Sequence, residues 1–288
     1  MSRITHESRK EAAERLIKQV LDVPVMPQCI FKIAEARTDT HEANLVIEKS
    51  VGVDPGFALK VMRLANSLSP EPITSVRRAV QFLGRAQIVT LASNSGNFDG
   101  FLGKTDAQSM RRRSWWRKSL DAAVCGRYLA RRFPKKLDPD EVYTMCLFHQ
   151  LGRMLLDRVN SFVYAKVEEK VAGGMSVEDA EYEVFGCDHV DIAQAMILSW
   201  GLPEVVAEGV NYLRSQEGTN PCNGAMVSLA GTMSAAAISG MSRAEQARQY
   251  DRYPGWALET LDIDDMKLQI LVLEGEAAIA SSAHLAAA

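Results

Sequence analysis

Apolar residues recur along this chain three or four positions apart, which is the spacing of one face of a helix. Residues 7–21, for example, place Ala12, Leu16 and Val20 on one side of a charged amphipathic segment. No stretch shows a convincing alternation of apolar and polar residues at the two-residue spacing of a half-buried strand. The pattern therefore predicts an all-α fold with few or no strands.

Capping residues and helix breakers divide this pattern into separate helices. Asp54 followed by Pro55 is typical of an N-cap and a first helical turn, and Gly84 predicts a helix end. The sequence "FPKKLDP" ends a long helix predicted over residues 111–133. Further helices are predicted over 140–159, 161–172, 176–184, 189–199, 203–215, 223–239, 254–261 and 264–281. Short connections favour one continuous multi-helical bundle, in one or two lobes.

Composition and cysteine usage narrow the class of protein. The five Cys residues are odd in number and widely spaced, without a CxxC pair, which argues against a disulfide framework or a zinc knuckle. The N-terminus lacks the apolar run of a secretory signal. Residues 224–241 reach the minimum length of a membrane span, but Ala, Gly, Ser and Thr dominate them and favour a soluble helix. We expect a cytoplasmic protein that does not enter a membrane.

Several blocks in a fixed order resemble the HDOD family, the HD-related output domains of bacterial signalling proteins. The blocks are "VPVMPQCIFKIAEA", "LVIEKSVGVDPGFALKVMRLANS", "ITSVRRAVQFLG", "WRKSLDAAVCGRYLA", "CLFHQLGRMLL" and "CDHVDIAQAMILSWGLPEVVAEGV". The resemblance assigns residues 21–213 to an HD-like helical domain. An N-terminal helix (1–20) precedes this domain, and a C-terminal helical extension (214–288) is expected to pack on the same body.

The same resemblance identifies the positions at which true HD hydrolases bind a divalent metal, which activates water for attack on a phosphoester. His149 keeps the histidine, but Gln150 replaces the adjacent aspartate and Lys118 replaces an upstream histidine. Asp188 and His189 remain as two potential ligands. An ammonium 4 Å from a dication costs about 8 kcal/mol at an effective dielectric constant of 20. We therefore expect a degenerate site without metal, cofactor or catalysis.

An alternative interpretation gives His149 and Gln150 a structural role only. It treats His149 as a hydrogen-bonded core histidine and Gln150 as a helix residue whose amide is satisfied nearby.

Basic residues are concentrated in one stretch of the chain. Residues 111–136 contain ten basic residues and one acidic residue, Asp121, whereas the whole chain has a net charge of −3. Trp115 and Trp116 interrupt the stretch, which is compatible with phosphate contacts and base stacking. Alternatively, Trp116 belongs to the core, and the arginines are solvated or pair with acidic residues elsewhere. The candidate partner-binding residues are Arg111, Arg112, Arg113, Trp115 and Arg117.

The resemblance implies a non-catalytic module of bacterial signal transduction that works by protein–protein interaction, often in cyclic di-GMP-linked pathways. No receiver, GGDEF-like or EAL-like segment accompanies the domain, so we expect it to act in trans on other signalling proteins. Two alternatives stay open. One is a metal-dependent phosphohydrolase of the HD superfamily with altered ligands, and the other is a nucleic-acid-binding regulator that uses residues 111–136. The sequence leaves the oligomeric state open.

Overall fold

The fold is all-α, as the hydrophobic pattern predicts. The computed structural model describes residues 6–20, 22–36, 40–95, 103–133, 135–238 and 253–282. Within these ranges the regular elements are helices, and no strand occurs among them.

The N-terminal part follows the predicted caps and breakers closely. Its helices are α1 (His6–Ile17), α2 (Pro27–Glu35), α3 (His41–Val53), α4 (Pro55–Leu68) and α5 (Val76–Ser93). The Asp54 carboxylate accepts a hydrogen bond of 2.7 Å from the Phe57 amide and so caps α4. Gly84 interrupts α5 with a φ of +69°, a conformation that favours glycine. The predicted helix end is confirmed, but a second helical segment follows it directly.

The remaining helices form a larger body around one long central helix. They are α6 (Asp106–Ala130), α7 (Pro139–Phe148), α8 (Leu151–Val159), α9 (Ser161–Ala172), α10 (Val177–Phe185), α11 (His189–Ser199), α12 (Glu204–Val210), α13 (Pro221–Ile238), α14 (Gly255–Leu261) and α15 (Asp265–Ser281), with a 3-10 turn at Ser215–Glu217. The single helix predicted over 140–159 is wrong, because the chain turns at His149 and Gln150 between α7 and α8.

Packing joins these helices into one hydrophobic core. Helices α2 to α5 contact mainly one another, and α4 and α5 also reach α7. Helix α6 packs against α7, α13 and α15, while α1 lies on α11. Buried apolar side chains from α1 through α15 belong to a single continuous cluster. None of the described helices combines the length and the apolar character needed to cross a bilayer.

A close backbone contact holds α8 against the start of α11. A Cβ atom added to Gly152 would lie 1.7 Å from the His189 carbonyl oxygen, a distance that no side chain tolerates. Glycine at this position therefore lets the two backbones touch. The contact brings the turn at His149 and Gln150 next to Asp188 and His189, although about 40 residues separate them in sequence.

Candidate functional site

His149 lies at the C-terminal end of α7 and is almost completely buried. Its Nδ1 atom lies 2.6 Å from the Cys146 carbonyl oxygen, one turn earlier. No hydrogen bond joins its Nε2 atom to another residue in the described ranges. A Cβ atom on Gly231 would lie 3.5 Å from that Nε2, so the backbone of α13 covers this edge of the ring.

The surroundings of His149 are positively charged. Burial lowers the pKa of His149, the hydrogen bond with the Cys146 carbonyl opposes this, and the nearby Arg153, His189 and Lys118 add to the lowering, so that the pKa is about 3. The imidazole is consequently neutral at pH 7. The positive charge of Arg153 and Lys118, which opposes a proton on this ring, also opposes an added cation beside it.

Lys118 projects from α6 toward this pocket and is half-buried. Burial, together with the guanidinium of Arg153, lowers the pKa of its ammonium group. Gln150, on the turn, is also buried, and its Oε1 atom has no hydrogen-bond partner in the described part of the chain. The expectation that the Gln150 amide is satisfied nearby is therefore wrong for its carbonyl oxygen.

The Asp188 carboxylate is fully engaged by neighbouring donors. Its Oδ1 atom accepts hydrogen bonds of 3.0 Å from the amides of Val190 and Asp191 and caps α11. Its Oδ2 atom pairs with Arg9 at 2.8 Å and with Arg214. Burial alone would raise the pKa of Asp188, but the positive charges around it hold the pKa below its ordinary value.

His189 uses both ring nitrogens inside the protein. Nδ1 lies 2.6 Å from Glu181 Oε2, and Nε2 lies 2.9 Å from the Tyr212 hydroxyl. The other Glu181 oxygen accepts a 2.8 Å hydrogen bond from the Tyr164 hydroxyl, and Arg153 lies 3.6 Å away from the same oxygen. Burial raises the pKa of Glu181, but the hydrogen bonds and electrostatic effects of the neighbouring His189 and Arg153 outweigh it and hold the pKa below its ordinary value. His189 is thus locked in a buried polar network.

The structure brings together the HD-like positions that the sequence indicated, but their donors do not fit a divalent metal. Asp188 and His189 have no free donor atom, Lys118 and Arg153 contribute positive charge, and Gln150 offers a neutral amide. In the described ranges, no group of three or more His, Cys, Asp or Glu residues is arranged to hold a metal ion. Divalent metals require several unprotonated ligands around one point.

The basic stretch does not form the expected surface. Arg111 and Arg112 are only 9% and 8% exposed, because both point inward to the buried Asp157. Arg111 Nη2 lies 2.5 Å from Asp157 Oδ1, and Arg112 Nε lies 2.6 Å from Oδ2. Arg111 also pairs with Glu168. The prediction that Arg111 and Arg112 belong to an exposed partner-binding face is wrong.

The other residues of that candidate face divide between interior and surface. Trp115 is buried and contacts the edge of Tyr164, with ring centroids 5.0 Å apart. Trp116 is also buried, as the core interpretation predicts. Arg117 is half-buried and pairs with Asp121 at 2.8 Å, whereas Arg113 is exposed. Neither indole is therefore available for base stacking.

Several residues that shape the site were not identified from the sequence. They come from other helices and loops, and their partners are distant along the chain; they are Arg153, Asp157, Glu181, Tyr212 and Arg214. A partial signal existed, because Arg153 and Asp157 interrupt an apolar helical run and charged residues are seldom buried unless they are paired.

The fold and the site together define an HD-related helical domain whose metal-ligand set is incomplete. The family model of the HDOD domain matches residues 23–215. The chain belongs to the HDOD family.

Several solved structures of bacterial proteins share this fold. The MmoQ response regulator from Methylococcus capsulatus is 21% identical, with a TM-score of 0.64 over 87% of this chain and 98% of its own. An HDOD domain protein of unknown function from Geobacter sulfurreducens is 23% identical, with a TM-score of 0.54 over 96% and 98% of the two chains. A virulence factor from Campylobacter jejuni is 17% identical, with a TM-score of 0.63 over 87% and 99%. No curated protein matches the chain.

Proposed function

We propose that this protein is a non-catalytic regulatory module of bacterial signal transduction. It acts in trans by binding other signalling proteins, in pathways of the kind linked to cyclic di-GMP. Its membership of the HDOD family supports a regulatory role, and the fold that it shares with the MmoQ response regulator agrees with one.

The observation that carries the proposal is the state of the groups that would bind metal in an HD hydrolase. Asp188 is saturated by helix capping and by two arginines, and His189 is held between Glu181 and Tyr212. Lys118 adds an ammonium group to the same pocket. Water activation by a dication requires free ligand atoms around it, and these residues are committed to other partners.

Recognition of a partner then depends on exposed side chains. On α15, Met266, Ile270 and Leu273 are 69%, 52% and 47% exposed, and they follow one another at a spacing of four and three residues. Exposed apolar side chains that share one helix face are common in docking surfaces. We do not propose a nucleic-acid-binding role, because Trp115 and Trp116 are buried.

Metal analysis combined with a phosphodiesterase assay tests the proposal. The chain, purified without chelator, should carry far less than one equivalent of Mn, Fe or Mg. It should also hydrolyse bis(p-nitrophenyl) phosphate no faster than the His149→Ala variant. Stoichiometric metal, together with hydrolysis that His149→Ala abolishes, would establish the phosphohydrolase alternative instead.

Partner binding is tested separately, by affinity purification from the native cell followed by mass spectrometry. Ile270→Asp should lose signalling proteins that the wild type retains. The matched control Ala107→Asp, at an exposed position of α6, should keep them.

A further inference from the structure

A cleft of about 640 Å³ lies between the α2–α5 part of the molecule and the larger helical body. Helices α3 and α5 line one side, and α6, α7 and α15 line the other. Small-molecule sites have volumes of roughly 300–1,000 Å³ and often lie where two packed units meet. None of the HD-like positions lines this cleft, so it is separate from the site described above.

The inner surface of the cleft is apolar and aromatic. Val76, Val80 and Val124 line it together with Tyr128 and Tyr143. The Tyr143 hydroxyl donates a 2.9 Å hydrogen bond to the Gly52 carbonyl, which ties α7 to α3. Burial raises the pKa of Tyr143 to about 12, so the ring remains uncharged. Such a surface suits a planar apolar group.

Within the cleft, one carboxylate is shared by two arginines. Asp140 lies 3.4 Å from Arg77 on α5 and 2.8 Å from Arg127 on α6. Glu48 approaches Arg77 at a longer distance of 3.6 Å. The Arg127 Nε atom is buried and has no hydrogen-bond partner in the described ranges. The Arg77 and Arg127 side chains are 49% and 35% exposed, so both guanidinium groups keep surface that a ligand can reach.

Two further cations of the lining, Lys49 and Arg131, are exposed. No hydrogen bond or ion pair engages their side chains within the part of the chain that the structure describes. Glu274, an acidic residue of the lining, pairs with Arg132, which does not line the cleft. The cleft therefore combines an apolar interior with an excess of uncommitted positive charge.

We propose that this cleft binds a small organic anion, with a planar apolar body and one carboxylate, sulfonate or phosphate group. The body would lie on the valine and tyrosine surface, and the anionic group would meet Arg131 and the Arg127 guanidinium. Because the ligand would touch α3 and α5 on one side and α6 on the other, its binding would stabilise their relative placement. The proposal does not depend on whether the HD-like site is catalytic.

The apolar component is tested with the fluorescent probe 8-anilinonaphthalene-1-sulfonate, an aromatic anion, titrated onto the full chain. Ala277 is exposed and lines the cleft, whereas Ala280 is exposed on the same helix outside it. Ala277→Trp should weaken binding by about tenfold or more, because an indole occupies volume that the probe needs. Ala280→Trp should leave binding unchanged. Equal effects of the two substitutions would overturn the proposal.

The charge component is tested with Arg131→Glu, and with Arg113→Glu as an exposed control outside the cleft. Arg131→Glu should weaken binding of the anionic probe about fivefold, as expected for reversal of one exposed charge. It should leave binding of the neutral dye N-phenyl-1-naphthylamine unchanged. If Arg131→Glu matches Arg113→Glu, or if it weakens both dyes equally, the cleft is not an anion site.

Competition identifies the chemistry of the ligand. Phenyl phosphate or benzoate should displace the anionic probe, whereas inorganic phosphate at the same concentration should not. Displacement by inorganic phosphate alone would contradict the requirement for an apolar body. A thermal unfolding transition close to that of the wild type verifies that each variant is folded, and the Arg131 comparison decides the outcome if Ala277→Trp fails that test.

Discussion

The HD-like positions and the basic stretch differ in how their residues meet. Lys118, His149 and His189 come from separate helices, yet they converge in one buried pocket. Arg111 and Arg113 are two residues apart on α6, yet the first is buried in an ion pair and the second faces solvent. Residues that are close in sequence therefore do not form one surface, whereas residues that are distant in sequence form one pocket.

The two regions nevertheless handle buried carboxylates in the same way. In the HD-like pocket, Arg9 and Arg214 neutralise Asp188. Under the basic stretch, Arg111 and Arg112 neutralise Asp157. In both places an acidic group that could attract a metal is held by guanidinium groups instead. The regions differ in their charge balance. The positive charges of Arg111 and Arg112 are balanced by Asp157 and Glu168, whereas the surroundings of His149 stay positive.

The largest effect is expected from breaking the ion pairs under the basic stretch. Asp157→Ala should destabilise the protein by about 4 kcal/mol, because it leaves two buried guanidinium groups without their shared carboxylate. Urea unfolding at pH 7 measures this change. Glu168→Ala removes the half-exposed second partner of Arg111 and should cost less than about 1 kcal/mol. Equal losses would mean that the Asp157 pairs contribute no more than surface pairs.

A second experiment disrupts the contact that assembles the HD-like pocket. Gly152→Ala should cost about 3 kcal/mol, since its Cβ would overlap the His189 carbonyl and force α8 away from α11. Gly255→Ala is the matched control, because nothing lies within 4 Å of a Cβ there. It should change stability by less than about 0.5 kcal/mol. Urea unfolding of both variants measures the difference, and a tolerated Gly152→Ala would contradict the close contact.

The smallest effect concerns the pH dependence that His149 contributes. Its folded-state pKa of about 3 lies below the roughly 6.5 of an unfolded imidazole. Below pH 6.5 the unfolded chain therefore binds a proton that the folded chain does not, and stability falls as the pH decreases toward 3. Relative to His149→Gln, the wild type should lose about 2 kcal/mol between pH 7.5 and pH 5. Parallel stability curves for the two proteins would show that His149 is not held neutral.

Much of the fold was predictable because its signals are local. The Asp54–Pro55 start of α4 and the interruption of α5 at Gly84 depend on neighbouring residues and on backbone conformation. The turn at His149 and Gln150 carries no Gly or Pro of its own. The turn lies beside the close contact between Gly152 and His189 on α11. The sequence of α7 and α8 alone cannot show that contact.

Part of the membership of the site was predictable, but the contacts among its residues were not. The resemblance identified Lys118, His149 and Asp188, which the structure places in one region. The inward orientation of Arg111 depends on Asp157, which lies 46 residues further along the chain. Helix α6 is buried on most of its circumference, so its periodicity gave no clear polar face from which that orientation could be inferred.

Gly231 bears on any attempt to re-create hydrolase chemistry in this scaffold. The helix that carries it lies beyond residues 23–215, the range of the family match. Its backbone packs close to the His149 ring edge that has no hydrogen bond. Reinstating a histidine at position 118 and an aspartate at position 150 would restore two ligands but would leave the backbone of α13 close to the His149 Nε2 atom. A metal bound at that nitrogen would have to share this edge of the ring with α13, so redesign of the site would also have to include position 231.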